Sequence, residues 1–386
     1  MNSIVTNVLN EFKKRFATTP KTYYSPGRIN LIGEHIDYNS GFVMPAAINK
    51  GIYYAVAPNN SDTVNIYALD FKETYSVTLN AVAKNEGWKN YLLSVLNEFI
   101  LLNKPVGGFD CVFGGDIPVG SGMSSSAAVE GGLAFALNDI FNLGINRKEL
   151  ALLCQRAEHN YPNVKCGIMD MYASLNGKKD HVLLLDCETI EHEYFPFAFT
   201  EYSIVLINSK VHHSLASGEY NLRRKNCELA LKVLKRETGI QTFRDVKDIT
   251  VIEKHKDELT GEEFNCAIYV VQEIERTQKA GTLLRLHDLE GFGKLMYQTH
   301  EGLSGLYKVS CPELDFLVNE AKKHPEIIGA RLMGGGFGGC TINIVKKGAV
   351  ATVISAIKEA YLHRFSISAE VYLVEISSGT DSIFSN

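Results

Sequence analysis

Residues 115–130 read Gly-Asp-Ile-Pro-Val-Gly-Ser-Gly-Met-Ser-Ser-Ser-Ala-Ala-Val-Glu. Gly120 and Gly122 precede three serines that open an alanine-rich run. Glycine takes φ > 0 easily and lets backbone N–H groups close on an anion. The first turn of a helix carries unpaired N–H donors and a partial positive charge, so a phosphate suits it. Gly120, Ser121, Gly122, Met123, Ser124, Ser125 and Ser126 therefore form a candidate phosphate loop. The serine hydroxyls can reach phosphate oxygens or fill one coordination position of Mg²⁺. A plain N-capped helix is the alternative, but a cap needs one Ser, not three behind two glycines. No Gly-Lys-Ser/Thr follows, so the loop is not a Walker A loop. No His-Arg-Asp block exists, so it is not the glycine loop of a protein kinase.

Acid and base candidates lie elsewhere. Residues 25–41 hold Arg28, Glu34, His35 and Asp37 in one short, glycine-flanked stretch. Fixed carboxylates accept hydrogen bonds from sugar hydroxyls, and an arginine beside phosphates offsets developing charge. The same residues would also suit a solvated loop with ordinary ion pairs. In Cys166-Gly167-Ile168-Met169-Asp170-Met171, one Asp follows a glycine turn amid apolar residues. It is a candidate general base or a helix N-cap. Glu158 falls in the last turn of a predicted helix, where a carboxylate opposes the dipole unless a cation compensates.

A second glycine cluster, Met333-Gly-Gly-Gly-Phe-Gly-Gly-Cys-Thr-Ile342, formally matches GxGxxG at Gly334, Gly336 and Gly339. A dinucleotide fingerprint requires a helix after it, and Cys340–Val345 reads as a strand. The glycines imply either a hairpin loop or a backbone that closely approaches a ligand or the other glycine loop.

These segments need elements to hold them. Apolar residues Ile4, Val5, Val8, Leu9, Phe12 and Phe16 recur at helical spacing and predict an amphipathic first helix, not a targeting segment. Strands are expected over Gly41–Ala57, Val64–Ala68, Tyr75–Leu79 and Gly108–Phe113, and helices over Trp88–Leu102, Ser124–Phe141 and Arg147–Asn160. Beyond a strand at Ser203–Asn208, helices are predicted at Gly218–Lys235, Glu263–Lys279 and Val350–Phe365, with a last strand at Ala369–Glu375. This mixture implies an α+β fold with two lobes. The boundary is placed near 180–200, giving lobes over 1–190 and 191–386, with the last strand free to return to the first lobe. No Pro/Gly/Ser-rich linker marks it, so close packing of the lobes is expected.

Bulk properties narrow the partners. The 386 residues carry a net charge of −5 and a pI near 6.1, so no global basic field exists for nucleic acid or an anionic membrane. The 8 cysteines form no CxxC pair and no zinc-ligand cluster, as expected of reduced thiols in the cytoplasm. No stretch is apolar and long enough for a transmembrane helix.

Taken together, the motifs resemble the GHMP small-molecule kinases and, within them, the galactokinase family. The resemblance rests on Pro26-Gly27-Arg28-Ile29-Asn30-Leu31-Ile32-Gly33-Glu34-His35 with Asp37-Tyr38-Asn39, on Gly122–Ala128, and on Gly334–Cys340. Trp88-Lys89-Asn90-Tyr91, Gly167-Ile168-Met169-Asp170 and Ser214–Arg224 add to it. It implies a ribosomal-protein-S5-like first lobe and a ferredoxin-like second lobe. It also implies ATP and galactose as substrates, Mg²⁺ as cofactor, and a monomer or weak homo-oligomer. By resemblance, Glu34, His35, Ile36, Asp37 and Tyr220 form the sugar site, Asp170 is the base and Arg28 stabilises the transition state. Gly120–Ser126 would wrap the phosphates, Ser126 and Glu158 would hold Mg²⁺, and Trp88 and Tyr91 would lie near the adenine. Ile36 and Met171 stand where the family usually has Thr and Gln. That leaves a related sugar, such as N-acetylgalactosamine, as an alternative substrate. A non-catalytic sugar sensor is a further alternative, but it would lack part of Ser-Ser-Ser-Ala, which is complete here.

Overall fold

The computed structural model describes residues 3–118, 120–197, 199–212 and 216–383. Ser214 and Leu215, which open the Ser214–Arg224 match, lie outside the described residues. In chain order the first half contains α1 (Ser3–Arg15), β1 (Lys21–Asn30), β2 (Phe42–Val43), β3 (Pro45–Pro58), β4 (Thr63–Ala68), β5 (Glu73–Thr78), α2 (Lys89–Leu101) and β6 (Phe109–Gly115). Then come α3 (Ser125–Ile140), α4 (Arg147–Asn160), α5 (Met169–Asn176), β7 (His181–Asp186) and β8 (Glu191–Pro196). The second half contains β9 (Tyr202–His212), α6 (Ala216–Leu234), α7 (Thr250–Lys254), α8 (Gly261–Arg285), α9 (Leu289–Gly305) and α10 (Pro312–Ala321). β10 (Ile327–Leu332), β11 (Gly338–Lys346), α11 (Val350–Phe365), β12 (Glu370–Val374) and β13 (Asp381–Ile383) complete it.

Three sheets organise these elements, in the orders β13-β1-β3-β6-β4-β5, β10-β11-β9-β12 and β2-β7-β8. In the first sheet only the β4–β6 pair is parallel. The final strand does return: Thr22, Tyr23 and Tyr24 of β1 pair with Ile383, Ser382 and Asp381. Helix α1 lays Val5, Val8 and Phe12 inward, and Val8 and Phe12 pack with Ala55, Ala57 and Val112. Burying a side chain such as Phe12 contributes about 1.5–3 kcal/mol. Helices are stopped and started where local chemistry dictates. Asn146 and Glu149 form a capping box at the start of α4, as Thr260 and Glu263 do at α8.

The change from the first sheet system to the second falls between β8 and β9. The halves share a core rather than a linker. Ile29, Leu31, Met44 and Ala46 from the first sheet region pack in one cluster with Leu206, Ile342 and Ile344 of the second. Two distortions of the first sheet turn polar side chains out of its regular alternation. The β1–β3 register shifts between Pro26 and Arg28, and such a bulge re-aims the next side chain. β1 and β3 then diverge into the loop 31–41, which is buried almost throughout.

Candidate active site

The bulge at Gly27 turns Arg28 out of the sheet toward the glycine loop. Its backbone N–H donates to Met123 O at 3.0 Å. Its side chain is almost wholly buried and grips Asp170 with two parallel bonds, Nε to Oδ1 and Nη2 to Oδ2, each 2.8 Å. Nη1 donates to Gly122 O. One planar cation is thus bolted between a carboxylate and the glycine loop, the bidentate geometry that arginine alone supplies. The neighbouring carboxylates of Asp170 and Glu34 hold its pKa up although burial opposes them.

Asp170 is the second residue of α5, not its N-cap, which is Ile168 and makes no side-chain cap bond. Ser124 is likewise no ordinary cap. It stands before α3 with φ 55°, and its hydroxyl donates to Asp170 Oδ2 while its oxygen accepts from no helix N–H. The capped-helix alternative for this loop is therefore set aside by the direction of that hydroxyl. Ser121 turns inward, its hydroxyl on Pro118 O at 2.7 Å.

A cavity of about 260 Å³ opens beside Asp170, lined by Arg28, Glu34, His35, Asp37, Glu158 and Tyr220, with Gly334 and Gly335 above. One end is held by an ion pair and hydrogen bonds to backbone. Glu34 Oε2 accepts from Arg331 Nη1 at 2.7 Å, and the same guanidinium donates to Leu31 O, Asn30 O and Leu332 O. Arg331 was not anticipated, yet a lone charge in the otherwise apolar strand Ile327–Leu332 was a legible signal. Asp37 lies against Gly167, where a Cβ would fall 2.0 Å from Oδ2. Burial, then the charges of Asp170 and Glu34, push the Asp37 carboxyl up to about 7, against backbone N–H groups of Tyr38 and Met169. His35, at φ 61°, is buried, and burial pulls its pKa down to about 4. The Tyr220 ring lies 5.2 Å from that of His35.

One expected sugar-site residue is not brought to the cavity. Ile36 is wholly buried in the apolar core, and Gly41 packs so closely that an added Cβ would sit 2.8 Å from Ile36 Cβ. The turn at 36–41 points successive side chains in opposite senses, so Ile36 faces inward while His35 and Asp37 face the cavity. Met171 is wholly buried in the same core.

The other end is built from backbone. Gly120 and Gly122 have φ 70° and 72°. The second glycine cluster forms the turn between β10 and β11 and rests on this loop. A Cβ on Gly334 would lie 3.6 Å from Gly122 Cα, and one on Gly339 would lie 3.5 Å from Gly120 O. The cluster is thus a hairpin loop that also closely approaches the other glycine loop. Glu158, in the last turn of α4, lies near the Ser126 hydroxyl; burial first, then Asp170, raises its carboxyl to about 7. Behind it Glu130 of α3 is wholly buried with no partner for either carboxyl oxygen, and burial and Glu158 keep its pKa well above the usual range. Trp88 precedes α2, its indole N–H on Glu73 Oε2 at 2.8 Å and its ring parallel to Phe71. Tyr91 is half-buried on α2, close enough to Glu158 and Glu130 for their charges to raise its pKa after burial does. Trp88 and Tyr91 do not line the cavity beside Asp170.

This arrangement can be set against known proteins. Residues 10–58 match the galactokinase galactose-binding signature, 90–178 the GHMP kinase N-terminal domain and 281–363 the GHMP kinase C-terminal domain. A galactokinase of Clostridium acetobutylicum is 39% identical over 380 residues, which cover 97% of this chain and 97% of that protein. The chain belongs to the galactokinase family. A second galactokinase, from Fusobacterium nucleatum, is 37% identical and covers 98% of this chain and 99% of itself. The crystal structure of Lactococcus lactis galactokinase complexed with galactose superposes with a TM-score of 0.94 at 31% identity, covering 98% of this chain and all of that one. A mevalonate kinase structure, at 20% identity and a TM-score of 0.63 over 92% of this chain, shares the fold. The α+β expectation and the GHMP kinase fold both hold. Among the described residues no helix is long and apolar enough to cross a membrane.

Proposed function

We propose that the chain transfers the γ-phosphoryl group of ATP to the C1 hydroxyl of α-D-galactose, forming galactose 1-phosphate and ADP. The observation that carries this reading is the setting of Asp170. Arg28 and Ser124 hold its carboxylate from one side, and the other side faces a cavity ringed by Glu34, Asp37 and Tyr220. A sugar presents many hydroxyls and no charge, so it is recognised by fixed acceptors of this kind. The volume of about 260 Å³ lies below the span of drug-sized sites, about 300–1,000 Å³, and suits one sugar ring.

In this reading Asp170 accepts the C1 proton as that oxygen attacks phosphorus in line. Arg28 holds the Asp170 carboxylate in place and offsets charge on the transferring group. Glu34, His35, Asp37 and Tyr220 orient the ring. Gly120–Ser126 wraps the phosphates with backbone N–H groups at the start of α3, and Trp88 and Tyr91 flank the nucleotide base. Residues 1–190 carry both loops and the base, and 191–386 supply Tyr220 and the covering glycine turn, with β13 returning to the first lobe. The residues fit Mg²⁺: Ser126 and Glu158 offer hard oxygen donors, and among the described residues the buried Glu130 carboxyl has no partner. When bound, the ion would neutralise charge on the β- and γ-phosphates.

A panel of sugars assayed by coupled ADP detection tests the reading. Galactose is expected to be the preferred acceptor. Preference for another sugar, N-acetylgalactosamine included, overturns the substrate, and binding of sugar and ATP without ADP release overturns the kinase.

A further inference from the structure

His35 faces the cavity, yet neither of its ring nitrogens is free. Nε2 lies 3.2 Å from Gly335 O, and Nδ1 lies 2.7 Å from the Tyr38 hydroxyl. A carbonyl oxygen can only accept, so the proton sits on Nε2 and Nδ1 is the acceptor. Turning the ring over would set carbon against both partners and lose both bonds. Tyr38 then spends its single proton on Nδ1. Its oxygen must accept, and the Tyr307 hydroxyl stands 3.0 Å away to donate. The Tyr307 oxygen in turn faces Cys227 Sγ at 3.2 Å. Every link of this chain has one direction, and the direction is set by the Gly335 carbonyl.

The members come from distant parts of the fold. His35 and Tyr38 belong to the loop after β1, Cys227 to α6, Tyr307 to the segment after α9, and Gly335 to the glycine turn. Other bonds hold the chain's ends. Arg223 Nε donates to Tyr307 O at 2.7 Å, and the Tyr269 ring packs 4.6 Å from that of Tyr307. The Tyr220 ring covers Tyr38 at 5.5 Å as well as His35. The charged groups around the imidazole are Glu34, Arg223 and Arg331, and burial outweighs the one anion among them, so the ring is neutral.

We propose that the Gly335 carbonyl fixes His35 as its Nε2–H tautomer and that Tyr38 and Tyr307 are positioning residues that hold its ring, so that His35 meets the sugar with ring carbon and shape rather than with a hydrogen bond. His35 would then differ from Glu34 and Asp37, whose carboxylates can accept from sugar hydroxyls. This role rests on the reading of the cavity as the sugar site. The tautomer itself does not, and the test separates the two.

Long-range ¹H–¹⁵N correlation spectra of ¹⁵N-histidine-labelled protein read the tautomer without any substrate; the His35 signals are assigned by their loss in His35→Gln. A neutral Nε2–H form is expected in the unaltered protein. A neutral Nδ1–H form, or a charged ring near pH 7, overturns the proposal. In Tyr38→Phe the Gly335 carbonyl still takes the Nε2 proton, so the tautomer is expected to stay while the Nδ1 ¹⁵N resonance moves downfield as that nitrogen loses its donor. An unchanged spectrum in that variant also overturns it. If galactose is the substrate, Tyr38→Phe raises its KM about tenfold while kcat and the KM for ATP change less than about threefold, the size of one unpaired buried acceptor. Tyr307→Phe, which leaves the bond to His35 in place, moves the same KM in the same direction by a smaller factor. A shifted Nδ1 resonance with no effect on galactose KM overturns the sugar-facing role. The predicted spectra in a protein that does not turn over galactose point instead to failure of the substrate reading alone.

Discussion

The two ends of the cavity are held by different means. At the end proposed for the sugar, two polar side chains are fixed by other side chains or by backbone: Glu34 by Arg331, and His35 by Tyr38 and Gly335. At the end proposed for the phosphates the backbone does the holding. Gly120 and Gly122 adopt φ near 70°, the Gly334–Gly339 turn lies on them, and the serines supply short hydroxyl arms. The difference follows from the two ligand chemistries. A neutral polyol is read by direction, and directed groups must be locked before binding so that little entropy is lost then. A polyphosphate is read by charge, which helix N–H groups and a cation satisfy with looser geometry. The carboxyls differ too. Asp37 and Glu158 both rise to about 7, but Asp37 is offset by backbone N–H groups, while Glu158 has Ser126 and an unpartnered Glu130 behind it. Arg28 and Asp170 stand at the seam.

The largest break in this contrast is expected at the seam. Asp170→Asn keeps the size of the side chain but removes the proton acceptor, and kcat should fall by about 10² or more. Turnover near that of the unaltered protein would take Asp170 out of the chemistry. Arg28→Lys replaces a fork gripping both Asp170 and Gly122 with a point charge. A loss of about tenfold to a hundredfold in kcat/KM is expected for either substrate, the scale of a missing charged hydrogen bond. An effect confined to one substrate would mean that Arg28 serves one end only.

Asp37 sharpens the sugar side. In the proposed site, sugar hydroxyls would donate to the ionised carboxylate, and its raised pKa means that it becomes protonated as pH falls through about 7. Galactose affinity without nucleotide, followed by calorimetry, should therefore weaken below pH 7, by up to about tenfold per unit. A flat profile from pH 6 to 8 would show that Asp37 does not accept from the sugar. The smallest functional change is expected at Ile36→Thr. Ile36 faces the core, so sugar preference should stay as it is, while burying a hydroxyl lowers stability by about 1–3 kcal/mol. Denaturant unfolding and the sugar panel together check this, and an altered sugar preference would return Ile36 to the site.

Much of the frame was legible. The expected helices Arg147–Asn160 and Val350–Phe365 coincide with α4 and α11, because their apolar periodicity and end signals agree. A strand, not a helix, follows the second glycine cluster, as the β-branched residues after Cys340 imply. Of the candidate site, the structure gathers Arg28, Glu34, His35, Asp37, Glu158, Asp170 and Tyr220 around one cavity. What was missed shares one property. Arg331 lies 297 positions from Glu34 in sequence, and Tyr307 lies 269 from Tyr38. No local pattern links such residues.

By itself, then, the sequence determined the kinds of chemistry available: an anion loop, a set of carboxylates, one arginine and the periodicities that carry them. Those depend on residue type and on spacing within a few turns, which the chain encodes locally. Only the tertiary structure decided which groups face each other. It turned Ser124 onto Asp170 instead of onto its helix, sent Ile36 into the core between two cavity residues, and set the second glycine turn on the first. The physical reason is packing. The bulge at Gly27 and the shared core of the two halves fix where each side chain points, and a rotation of one residue exchanges core for cavity.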